Sequence, residues 1–372
     1  MKIGVPREIK SQEFRVGMTP PGVQAAVDAG HEVVVETRAG LQVGFDDVAY
    51  REAGATIGQS AAEVYACPMV VKVKEPQPVE YPLLQPGQIL FTYLHLAPAA
   101  ELTKALVERG IVGIAYETIT NSRGQLPLLV PMSEVAGRLS VQMGAMAMYM
   151  QNGGRGILMG GVPGVAPARV LIIGGGVVGL EAARMALGLG ADVTILDRSV
   201  SRLRELDAVY GPRLKTRFSD AHALQELCAE CDLIVGAVLI PGKAAPKLIT
   251  RSMLSAMTPG TVFVDVSIDQ GGCAETSRPT THSEPTYVVD GVIHYCVANM
   301  PSACARTATL ALTNSTLEYV LEIARKGYRQ ALSDHAGLRQ GLNVHLGQVT
   351  NAAVAQDLGY AFVPPEAVLD GG

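Results

Sequence analysis

The sequence contains no tryptophan and only six cysteines among its 372 residues. So few cysteines do not suggest a disulfide framework in a chain of this length. Cys228 and Cys231 have the C-x-x-C spacing of some metal and redox sites, but neither a second such pair nor a histidine pair accompanies them. We therefore interpret them as ordinary packed thiols and not as a metal site.

Positive charge and long apolar runs are also scarce. Only 17% of the residues are charged, the net charge is -5, and no basic stretch is rich in aromatic residues, which disfavours nucleic-acid binding. Glycine, proline or arginine interrupts the apolar runs before they are long enough to span a bilayer. The first segment, MKIGVPREIK, does not resemble a signal peptide. We therefore expect a cytoplasmic protein that binds small molecules, with no nucleic-acid or membrane partner.

Short apolar runs alternate with helical segments twice along the chain, in the first 120 residues and again from residue 168. Such alternation predicts parallel sheets with helices on their faces. A chain of 372 residues also exceeds what one core usually organises. The sequence thus predicts an α/β protein with two doubly wound parallel-sheet domains and a cleft between them.

The chain after the second series is predicted to be helical, without further strong strands. Because consecutive elements pack as neighbours, we expect a long helix there to return to the first domain. The predicted substrate domain is therefore discontinuous, with residues 1–128 and 306–372, and the predicted nucleotide-binding domain comprises residues 129–305. A helix that Ser133 caps and a glycine pair ends is expected to cross between them.

A glycine-rich stretch, VLIIGGGVVGL, joins the first strand of the second series to the next helix. Gly174, Gly176 and Gly179 have the G-x-G-x-x-G spacing of the dinucleotide-binding fingerprint. In that motif the first glycine forms the turn, the second lets a pyrophosphate approach, and the third lets helix and strand pack closely. The helix then begins near Val177 and Val178, where N–H groups would face the phosphates. We therefore expect a Rossmann domain rather than a purely structural turn.

Asp197 ends the next predicted strand, at about the spacing where a carboxylate binds the hydroxyls of the adenosine ribose. Its charge would repel the 2′-phosphate of NADP and so favours NAD. Arg198 follows directly, and an arginine at this point can accommodate that phosphate. We therefore expect NAD as the cofactor, with some tolerance of NADP.

Three stretches of the first domain carry polar side chains near predicted strand ends. EFRVGMTP contains Arg15, VVKVKEP contains Lys72 and Lys74, and LFTYLHLA contains His95. Arginine binds a carboxylate through two hydrogen bonds, lysine adds a point charge, and histidine transfers protons near neutral pH. Each has an alternative, as a surface charge or a core histidine. Because they converge on one sheet edge, we expect them to bind a small carboxylic acid during redox at its neighbouring carbon.

Several segments resemble the alanine dehydrogenases, over residues 1 to about 345. They include GVPREIKSQEFRVGMTPPGV, PMSEVAGR, GGRGILMGGVPGV, DLIVGAVLIPG and ALTNSTLEYV. The nucleotide-binding subunit of transhydrogenase and the saccharopine dehydrogenases share the fold, but TYLHLA and IDQGGC favour alanine dehydrogenase. The resemblance implies the reversible, NAD-dependent oxidative deamination of L-alanine to pyruvate and ammonium by a homohexamer.

The resemblance also implies roles for individual residues. It assigns substrate binding to Arg15 and Lys74, proton transfer to His95, and a second catalytic function to Asp269. A carboxylate after the strand TVFVDVSI can move protons or stabilise a developing cation, although it can also cap a helix or close a turn. Besides the glycine loop and Asp197, the implied cofactor-binding positions are Ser133, Arg202, Ser219, Val238, Leu239, Arg278, Asn299 and Met300.

Two departures from the family pattern bear on specificity and on metals. In the loop NMPSACARTAT, Ala305 and Ala308 replace the expected proline and serine, which leaves serine, 2-aminobutyrate or glyoxylate open as substrates. Lys326 stands where some relatives carry a histidine proposed to bind a metal with the glutamate that matches Glu117. We therefore predict no metal dependence. A non-catalytic nucleotide-binding protein, like the transhydrogenase subunit, is the alternative from a different class.

Overall fold

The computed structural model describes residues 1–238 and 245–369. The chain forms two compact units: Met1–Met132 with Cys304–Gly372 make up the first unit, and Ser133–Ala303 make up the second unit. Each unit is built on a sheet in which parallel strands predominate and helices connect the strands. This arrangement confirms the predicted α/β fold class with two domains.

Short runs of β-branched and aliphatic residues form most strands, as expected for sheets that helices cover on both faces. Along the chain, the strands are β1 (Lys2–Val5), β2 (Glu32–Glu36), β3 (Thr56–Gly58), β4 (Met69–Val71), β5 (Ile89–Thr92), β6 (Val112–Ala115), β7 (Arg169–Ile173), β8 (Asp192–Asp197), β9 (Leu214–Phe218), β10 (Leu233–Gly236), β11 (Val262–Asp265), β12 (Thr286–Val289), β13 (Val292–Tyr295), β14 (Leu342–His345) and β15 (Gln348–Val349). Side chains of β4 alternate between the faces, so Met69 and Val71 join one core of the first unit and Val70 joins another.

Side-chain caps mark the start of several helices; Thr19, for example, accepts the N–H of Gly22 at the first helix. Along the chain, the α-helices are α1 (Pro20–Asp28), α2 (Asp47–Glu52), α3 (Ala61–Tyr65), α4 (Ala100–Glu108), α5 (Val130–Ala147), α6 (Val177–Gly188), α7 (Val200–Tyr210), α8 (Ala221–Glu230), α9 (Arg251–Leu254), α10 (Ala305–Lys326), α11 (Tyr328–Asp334), α12 (Ala336–Arg339), α13 (Ala352–Leu358) and α14 (Pro365–Leu369). Within the described ranges, none of these helices has both the length and the apolar character that crossing a membrane requires.

Both sheets have the strand order of a doubly wound fold. The order is β15-β14-β6-β5-β4-β1-β2-β3 in the first unit and β12-β13-β11-β10-β7-β8-β9 in the second unit. Pairing is parallel except at one edge of each sheet, where β14 runs antiparallel to β6 and β15, and β12 runs antiparallel to β13. The order reverses between β1 and β4 and between β7 and β10. Open α/β sheets bind ligands at the carboxyl ends of the strands beside such a switch point.

Helix α5 begins earlier than the sequence predicts. Its first residue is Val130, so the predicted cap Ser133 lies inside the first turn. Pro131 explains the earlier start, because proline lacks an N–H group that would be unpaired in a first turn anyway. The helix also ends before the predicted glycine pair, and Gly153, with φ of 86°, instead ends the short 3₁₀ helix Met150–Asn152.

The C-terminal segment is not purely helical, contrary to the prediction. After α10, strands β14 and β15 extend the first sheet, and the pairing of β14 with β6 shifts register between Leu342 and Val344. The four letters LNVH are too short a pattern to distinguish a strand from other buried structure. The predicted loop around Ala305 and Ala308 is also wrong, because the 3₁₀ helix Met300–Cys304 leads directly into α10.

All six cysteines are free thiols. Cys228 and Cys231 pack in the hydrophobic core of the second unit. Burial raises the pKa of Cys228 to about 12, which keeps this thiol protonated. The interpretation of the C-x-x-C pair as packed thiols is confirmed.

Candidate active site

The residues predicted to bind substrate follow neighbouring strands of the first sheet. Arg15 lies on the segment after β1, Lys74 on the segment after β4, and His95 on the segment after β5. These three parallel strands are adjacent, and β1 and β4 flank the switch point. The structure therefore brings all three segments to the carboxyl edge of one sheet.

Arg15 is buried, with 2% of its surface exposed, and Glu13 holds its guanidinium. Nε and Nη2 donate to the two carboxylate oxygens of Glu13 over 2.6 and 2.5 Å, and Nη1 donates to Met132 Sδ over 2.9 Å. Burial alone would lower the pKa of Arg15, but the hydrogen bonds and charge of Glu13 raise it above its ordinary value. Arg15 is therefore a permanent cation with an oriented fork.

Lys74 is positioned through its peptide groups. Its N–H and that of Val73 donate to Glu8 Oε1 over 3.2 and 2.7 Å. Its C=O accepts a hydrogen bond from Thr92 Oγ1 over 3.0 Å. Because Glu8 follows β1 and Thr92 ends β5, the backbone of Lys74 is tied to both neighbouring strands.

Lys72, the other lysine of this stretch, neutralises the charge of buried carboxylates. Its side chain is fully buried, and Nζ lies 2.9 Å from Glu80 Oε1 and 3.4 Å from Glu8 Oε2. Tyr65 OH also donates to Glu80 Oε1 over 2.9 Å. Burial raises the pKa of Glu8, although the charge of Lys72 opposes the rise. Lys72 thus belongs to the ionic network that supports Lys74.

His95 has a left-handed backbone, with φ of 48°, which is uncommon for a residue other than glycine. Its N–H donates to Glu117 Oε1 over 2.6 Å, and its Nδ1 lies 4.0 Å from the same oxygen. The ring stacks on Tyr93 with 5.7 Å between the centroids. Since the side chain is 47% exposed, His95 is not the packed core histidine of the alternative interpretation.

Glu117 and Lys326, which bear on the metal prediction, both have protein partners. The carboxylate of Glu117 accepts hydrogen bonds from the N–H groups of Leu94 and His95. Lys326 Nζ lies 2.7 Å from Asp334 Oδ2 and 3.1 Å from Glu322 Oε1. Across residues 1–238 and 245–369, no three histidine, cysteine, aspartate or glutamate side chains are grouped as a metal site requires. Metal independence stays a prediction.

The glycine loop lies at the switch point of the second sheet. Gly174 has φ of 107°, and a Cβ there would lie 2.6 Å from a carbonyl oxygen just after β10. A Cβ on Gly179 would lie 1.8 Å from the carbonyl oxygen of Gly174, so the close packing of α6 on the turn requires glycine. A Cβ on Gly176 would meet nothing within 4 Å, and this residue brings no capping side chain to α6. Open space beside the N–H groups of Val177 and Val178 fits a diphosphate.

Three predicted cofactor residues adjoin this loop. Asp197 ends β8, and its carboxylate oxygens accept the N–H groups of Gly175 and Ser199, each over 2.7 Å. Arg202 Nε donates to the C=O of Gly175 over 2.7 Å. The N–H of Ser219 donates to the C=O of Asp197 over 3.0 Å. The structure therefore places Asp197 and Arg202 against the glycine loop and Ser219 against the backbone of Asp197.

Asp269 lies in the 3₁₀ helix Val266–Gln270, which follows β11. Its Oδ1 accepts the N–H of Asn299 over 3.4 Å, and Asn299 has a left-handed backbone with φ of 57°. The next residue, Met300, is buried. The capping role that the alternative gave to Asp269 belongs to Asp265, which accepts an N–H of the first turn.

Arg278 lies over an aromatic ring, with its guanidinium carbon 4.0 Å from the centroid of Tyr287. The N–H of Arg278 donates to Tyr287 OH over 2.9 Å, and that hydroxyl donates to the C=O of Thr276 over 2.8 Å. The tyrosine ring in turn stacks on His294. Arg278 is therefore held in place by a neutral aromatic residue.

Three further predicted cofactor positions are Val238, Ser133 and Leu239. The N–H of Val238 donates to Ser267 Oγ over 3.1 Å, and this hydroxyl donates to the C=O of Val238 over 2.7 Å. Ser133 lies about one turn from Gly137, where a Cβ would come within 2.4 Å of a carbonyl oxygen of α6. Leu239 lies outside the described residues.

The sequence analysis did not predict three carboxylates that hold these segments in place. Glu8 and Glu13 hold the backbone of Lys74 and the guanidinium of Arg15, and Asp265 lies under the turn of Asp269. Each of the three ends a strand or follows it within a polar segment. Position after a strand does not by itself distinguish a supporting carboxylate from a surface charge, so the sequence carries no specific signal for these three.

Comparison with known proteins identifies the family. Residues 4–136 match the alanine dehydrogenase/PNT N-terminal domain, and residues 140–352 match the C-terminal domain. The alanine dehydrogenase of Halomonas elongata is 58% identical over 370 residues, or 99% of this chain and 100% of that protein. A solved L-alanine dehydrogenase has a TM-score of 0.94 at 53% identity, with 96% of this chain and 99% of that chain covered.

A solved transhydrogenase from Sinorhizobium meliloti is more distant. Its TM-score is 0.81 at 25% identity, with 95% of this chain and 100% of that chain covered. The family and the Rossmann-like second unit together imply an oxidoreductase that uses a nicotinamide nucleotide. The resemblance found in the sequence is confirmed, and the chain belongs to the alanine dehydrogenase/PNT family.

Proposed function

We propose that this chain catalyses the reversible, NAD-dependent oxidative deamination of L-alanine to pyruvate and ammonium. One observation carries the proposal: Arg15, Lys74 and His95 lie at one carboxyl edge of the first sheet, in a chain 58% identical to an alanine dehydrogenase along its length. Two cations beside a proton-transferring group are what redox at the Cα of a small amino acid requires.

Arg15 and Lys74 bind and orient the substrate. The guanidinium of Arg15 takes the carboxylate, and its orientation by Glu13 reduces the side-chain entropy lost on binding. Lys74 places its charge at a carboxylate or oxo oxygen, from a backbone that Glu8 and Thr92 hold. Hydride transfer depends on such positioning, because the Cα must meet the nicotinamide ring in a near-attack geometry.

His95 transfers the protons. The amine must lose a proton, water must add to the iminium, and the resulting carbinolamine must collapse to pyruvate and ammonium. The partly exposed imidazole serves these steps, with the carboxylate of Glu117 4.0 Å from its Nδ1. Asp269 supplies a second carboxylate, which stabilises the cation that develops on the substrate.

The second unit binds the nucleotide, which supplies the hydride acceptor for alanine oxidation. The open space at Gly176 accommodates the diphosphate, and Asp197 at the end of β8 takes the ribose hydroxyls. The carboxylate of Asp197 opposes a 2′-phosphate, so NAD is the cofactor. We expect kcat/KM to be at least about tenfold higher with NAD than with NADP, since one misplaced charge costs more than about 1.4 kcal/mol. Equal values would contradict this preference.

The decisive experiment is NADH absorbance with L-alanine, L-serine and 2-aminobutyrate, and in reverse with pyruvate or glyoxylate plus ammonium. We expect the highest kcat/KM with L-alanine and a fall in kcat of about 10²- to 10⁴-fold in His95→Ala. His222→Ala is the matched control, because this histidine is 86% exposed on α8. A higher kcat/KM with another substrate would reassign the specificity. NADH binding without any turnover would favour the non-catalytic nucleotide-binding protein.

We also propose a homohexamer. Large apolar side chains are exposed in the segment between α5 and β7, including Met150 at 71% and Val165 at 62%. Exposed apolar surface is typical of interfaces between subunits. Light scattering should give the mass of six chains, and Met150→Asp should reduce it. Val209→Asp, a control at an exposed valine of α7, should not. A monomeric mass for the unmodified protein would contradict the proposal.

Two further expectations concern metals and location. Activity should survive a chelator, and loss of activity with rescue by magnesium would contradict that prediction. The six free thiols are typical of a reducing compartment, so we place the protein in the cytoplasm. Fractionation of the source cells tests the location, and recovery with secreted proteins would contradict it.

A further inference from the structure

A buried carboxylate ends β11 in the second unit. Asp265 has 0% of its surface exposed. One carboxylate oxygen accepts the N–H of Cys273 over 2.8 Å and the hydroxyl of Ser277 over 2.6 Å. The other oxygen accepts the N–H of Ser267 over 3.1 Å. All three of these donors are neutral, so hydrogen bonds rather than an opposite charge stabilise this carboxylate.

The bonds of Asp265 close a loop in the chain. Ser267 lies at the start of the segment 266–277 and Ser277 at its end, and one side chain joins both ends. Gly272 has φ of 77°, and a Cβ there would lie 2.6 Å from a carboxylate oxygen of Asp265. Glycine thus permits both the left-handed turn and the close approach of this segment to the carboxylate.

The closed segment carries two features of the proposed site. Asp269 lies within it and accepts the N–H of Asn299 over 3.4 Å. Ser267 also lies within it, and its hydroxyl bonds both the C=O and the N–H of Val238 over 2.7 and 3.1 Å. Any shift of the segment would therefore move Asp269 and the backbone that follows β10 together.

The chemistry of this carboxylate favours a positioning role. Burying a carboxylate among neutral donors has a desolvation cost that an apolar residue of similar size would not have. What the carboxylate provides is directional: it accepts several hydrogen bonds from defined points of one short segment. A catalytic side chain requires that kind of support, because misplacement by about 1 Å lowers the rate about 100-fold.

We propose that Asp265 is a positioning residue, which holds the segment 266–277 so that Asp269 is placed for catalysis. The proposal rests on the proposed function, in which Asp269 acts on the substrate. Asp265→Asn keeps the shape but directs an N–H₂ group toward at least one of the three donors. We expect kcat to fall about 100-fold, with a much smaller change in the KM for L-alanine.

The matched control is Asp290→Asn. Asp290 belongs to the same unit, lies in the turn between β12 and β13, and pairs with Arg251 at the surface. Its left-handed backbone, with φ of 48°, suits asparagine. We expect kcat within about twofold of the unmodified enzyme, because isolated surface ion pairs contribute little.

A double-mutant cycle separates positioning from a general structural role. If Asp265 acts through Asp269, the double variant Asp265→Asn/Asp269→Asn should be no slower than Asp269→Asn alone. If the two losses multiply, Asp265 does not act through Asp269 and the proposal is wrong. Ser277→Ala provides a milder test should Asp265→Asn fail to fold, and we expect it to lower kcat about tenfold with the same non-additivity.

Hydrogen exchange provides a readout that does not depend on activity. Peptides that cover 266–277 should exchange faster in Ser277→Ala than in the unmodified protein, because one bond of the loop is lost. Unchanged exchange would overturn the proposal whatever reaction the protein catalyses. Absence of alanine turnover in the unmodified protein, with faster exchange in the variant, would instead count against the proposed function alone.

Discussion

The two units surround the buried carboxylates near their strand ends with different partners. In the first unit the partners include cations: Glu13 holds Arg15, and Lys72 lies between the carboxylates of Glu80 and Glu8. In the second unit, Asp265 is surrounded by hydroxyl and backbone N–H donors. Both arrangements bury a carboxylate: in the first unit a cation lies beside it, and in the second the donors described for Asp265 are neutral.

The difference predicts different responses to substitution. Removing one partner of a buried ion pair leaves an uncompensated charge, which costs about 3–5 kcal/mol. Removing a buried hydrogen-bond partner costs about 1–3 kcal/mol. Substitution of Lys72 should therefore destabilise the fold of the first unit. Substitution of Asp265 should instead displace the segment 266–277 while the second unit stays folded.

The largest effect is expected at Lys72. Lys72→Met keeps the length of the side chain but leaves Glu8 and Glu80 without their shared cation, and we expect the free energy of unfolding to fall by about 3–5 kcal/mol. Urea denaturation measures the change. Lys104→Met is the control, because Lys104 is 62% exposed and lies 4.0 Å from Glu108. That variant should differ by less than about 0.5 kcal/mol.

If the free energy of unfolding fell by less than about 1 kcal/mol in Lys72→Met, the ion pairs of Lys72 would contribute no more than an ordinary hydrogen bond. The contrast between the units would then disappear. The same would follow if Asp265→Asn lost as much stability as Lys72→Met. Either result would show that an adjacent cation does not distinguish the two buried carboxylate sites.

The next effect tests the first unit through kinetics. Glu13→Gln keeps the shape but turns an N–H₂ group toward Arg15, so the guanidinium loses its orienting bond. We expect kcat/KM for L-alanine to fall about 10- to 100-fold, mainly through KM. NADH affinity should not change, since Glu13 belongs to the first unit. Glu63→Gln, at an exposed glutamate of α3, is the control. An unchanged KM would show that Arg15 does not need Glu13.

The sequence predicts the strand ends and the glycine loop but not the residues that support them. Gly174, Gly176 and Gly179 could be recognised because their spacing is local and each has one steric reason. Glu8 could not, because it contacts the peptide of Lys74, 66 residues further along the chain. A glutamate in a polar segment has the pattern of a surface charge until the fold brings its partner to it.

Asp265 illustrates the same limit more clearly. In the sequence it is one polar letter at the end of an apolar strand, and Asp269 four positions later fits a functional aspartate equally well. Only the return of the chain at Cys273 distinguishes them, since Asp265 is buried under that turn while Asp269 meets Asn299. Hydrogen bonds between backbone and side chain leave no periodic pattern, so they require the structure.

The pH dependence of stability sharpens the comparison. Burial raises the pKa of Asp265 above its ordinary value of 3.8, although hydrogen bonds from Ser277 and Cys273 oppose the rise. The folded state thus binds this proton more tightly than the unfolded state. The stabilisation from this proton is complete below pH 3.8 and is lost as the pH rises through the folded pKa. The neighbouring thiol of Cys273 stays neutral there, because burial raises its pKa further.

Asp265→Asn has no such proton, so its deficit in the free energy of unfolding relative to the unmodified protein should be larger near pH 4 than at pH 7. Each pH unit between the two pKa values contributes at most about 1.4 kcal/mol. Urea denaturation of both proteins at the two pH values measures the difference. A deficit that grows toward neutral pH would mean that the carboxylate is stabilised as an anion, as in an ion pair.

The smallest effect is expected at Tyr287, another neutral support in the second unit. Tyr287→Phe keeps the ring under Arg278 but removes the hydroxyl that accepts its N–H. We expect the Kd for NADH, measured by fluorescence titration, to rise about fivefold, which corresponds to one hydrogen bond of about 1 kcal/mol. Tyr287→Leu should weaken binding further by about 0.5–1 kcal/mol, because the contact between cation and ring is lost as well.

Tyr210→Phe is the matched control, since Tyr210 OH accepts a hydrogen bond from Arg184 Nε over 2.9 Å in the same unit. Arg184 is not among the proposed cofactor residues, so the Kd for NADH should stay within about twofold. An equal rise in both variants would show that loss of any such hydroxyl loosens the second unit. A rise confined to Tyr287→Phe would show that a neutral partner can orient a cofactor-binding cation in this unit, as the carboxylate of Glu13 orients Arg15 in the first.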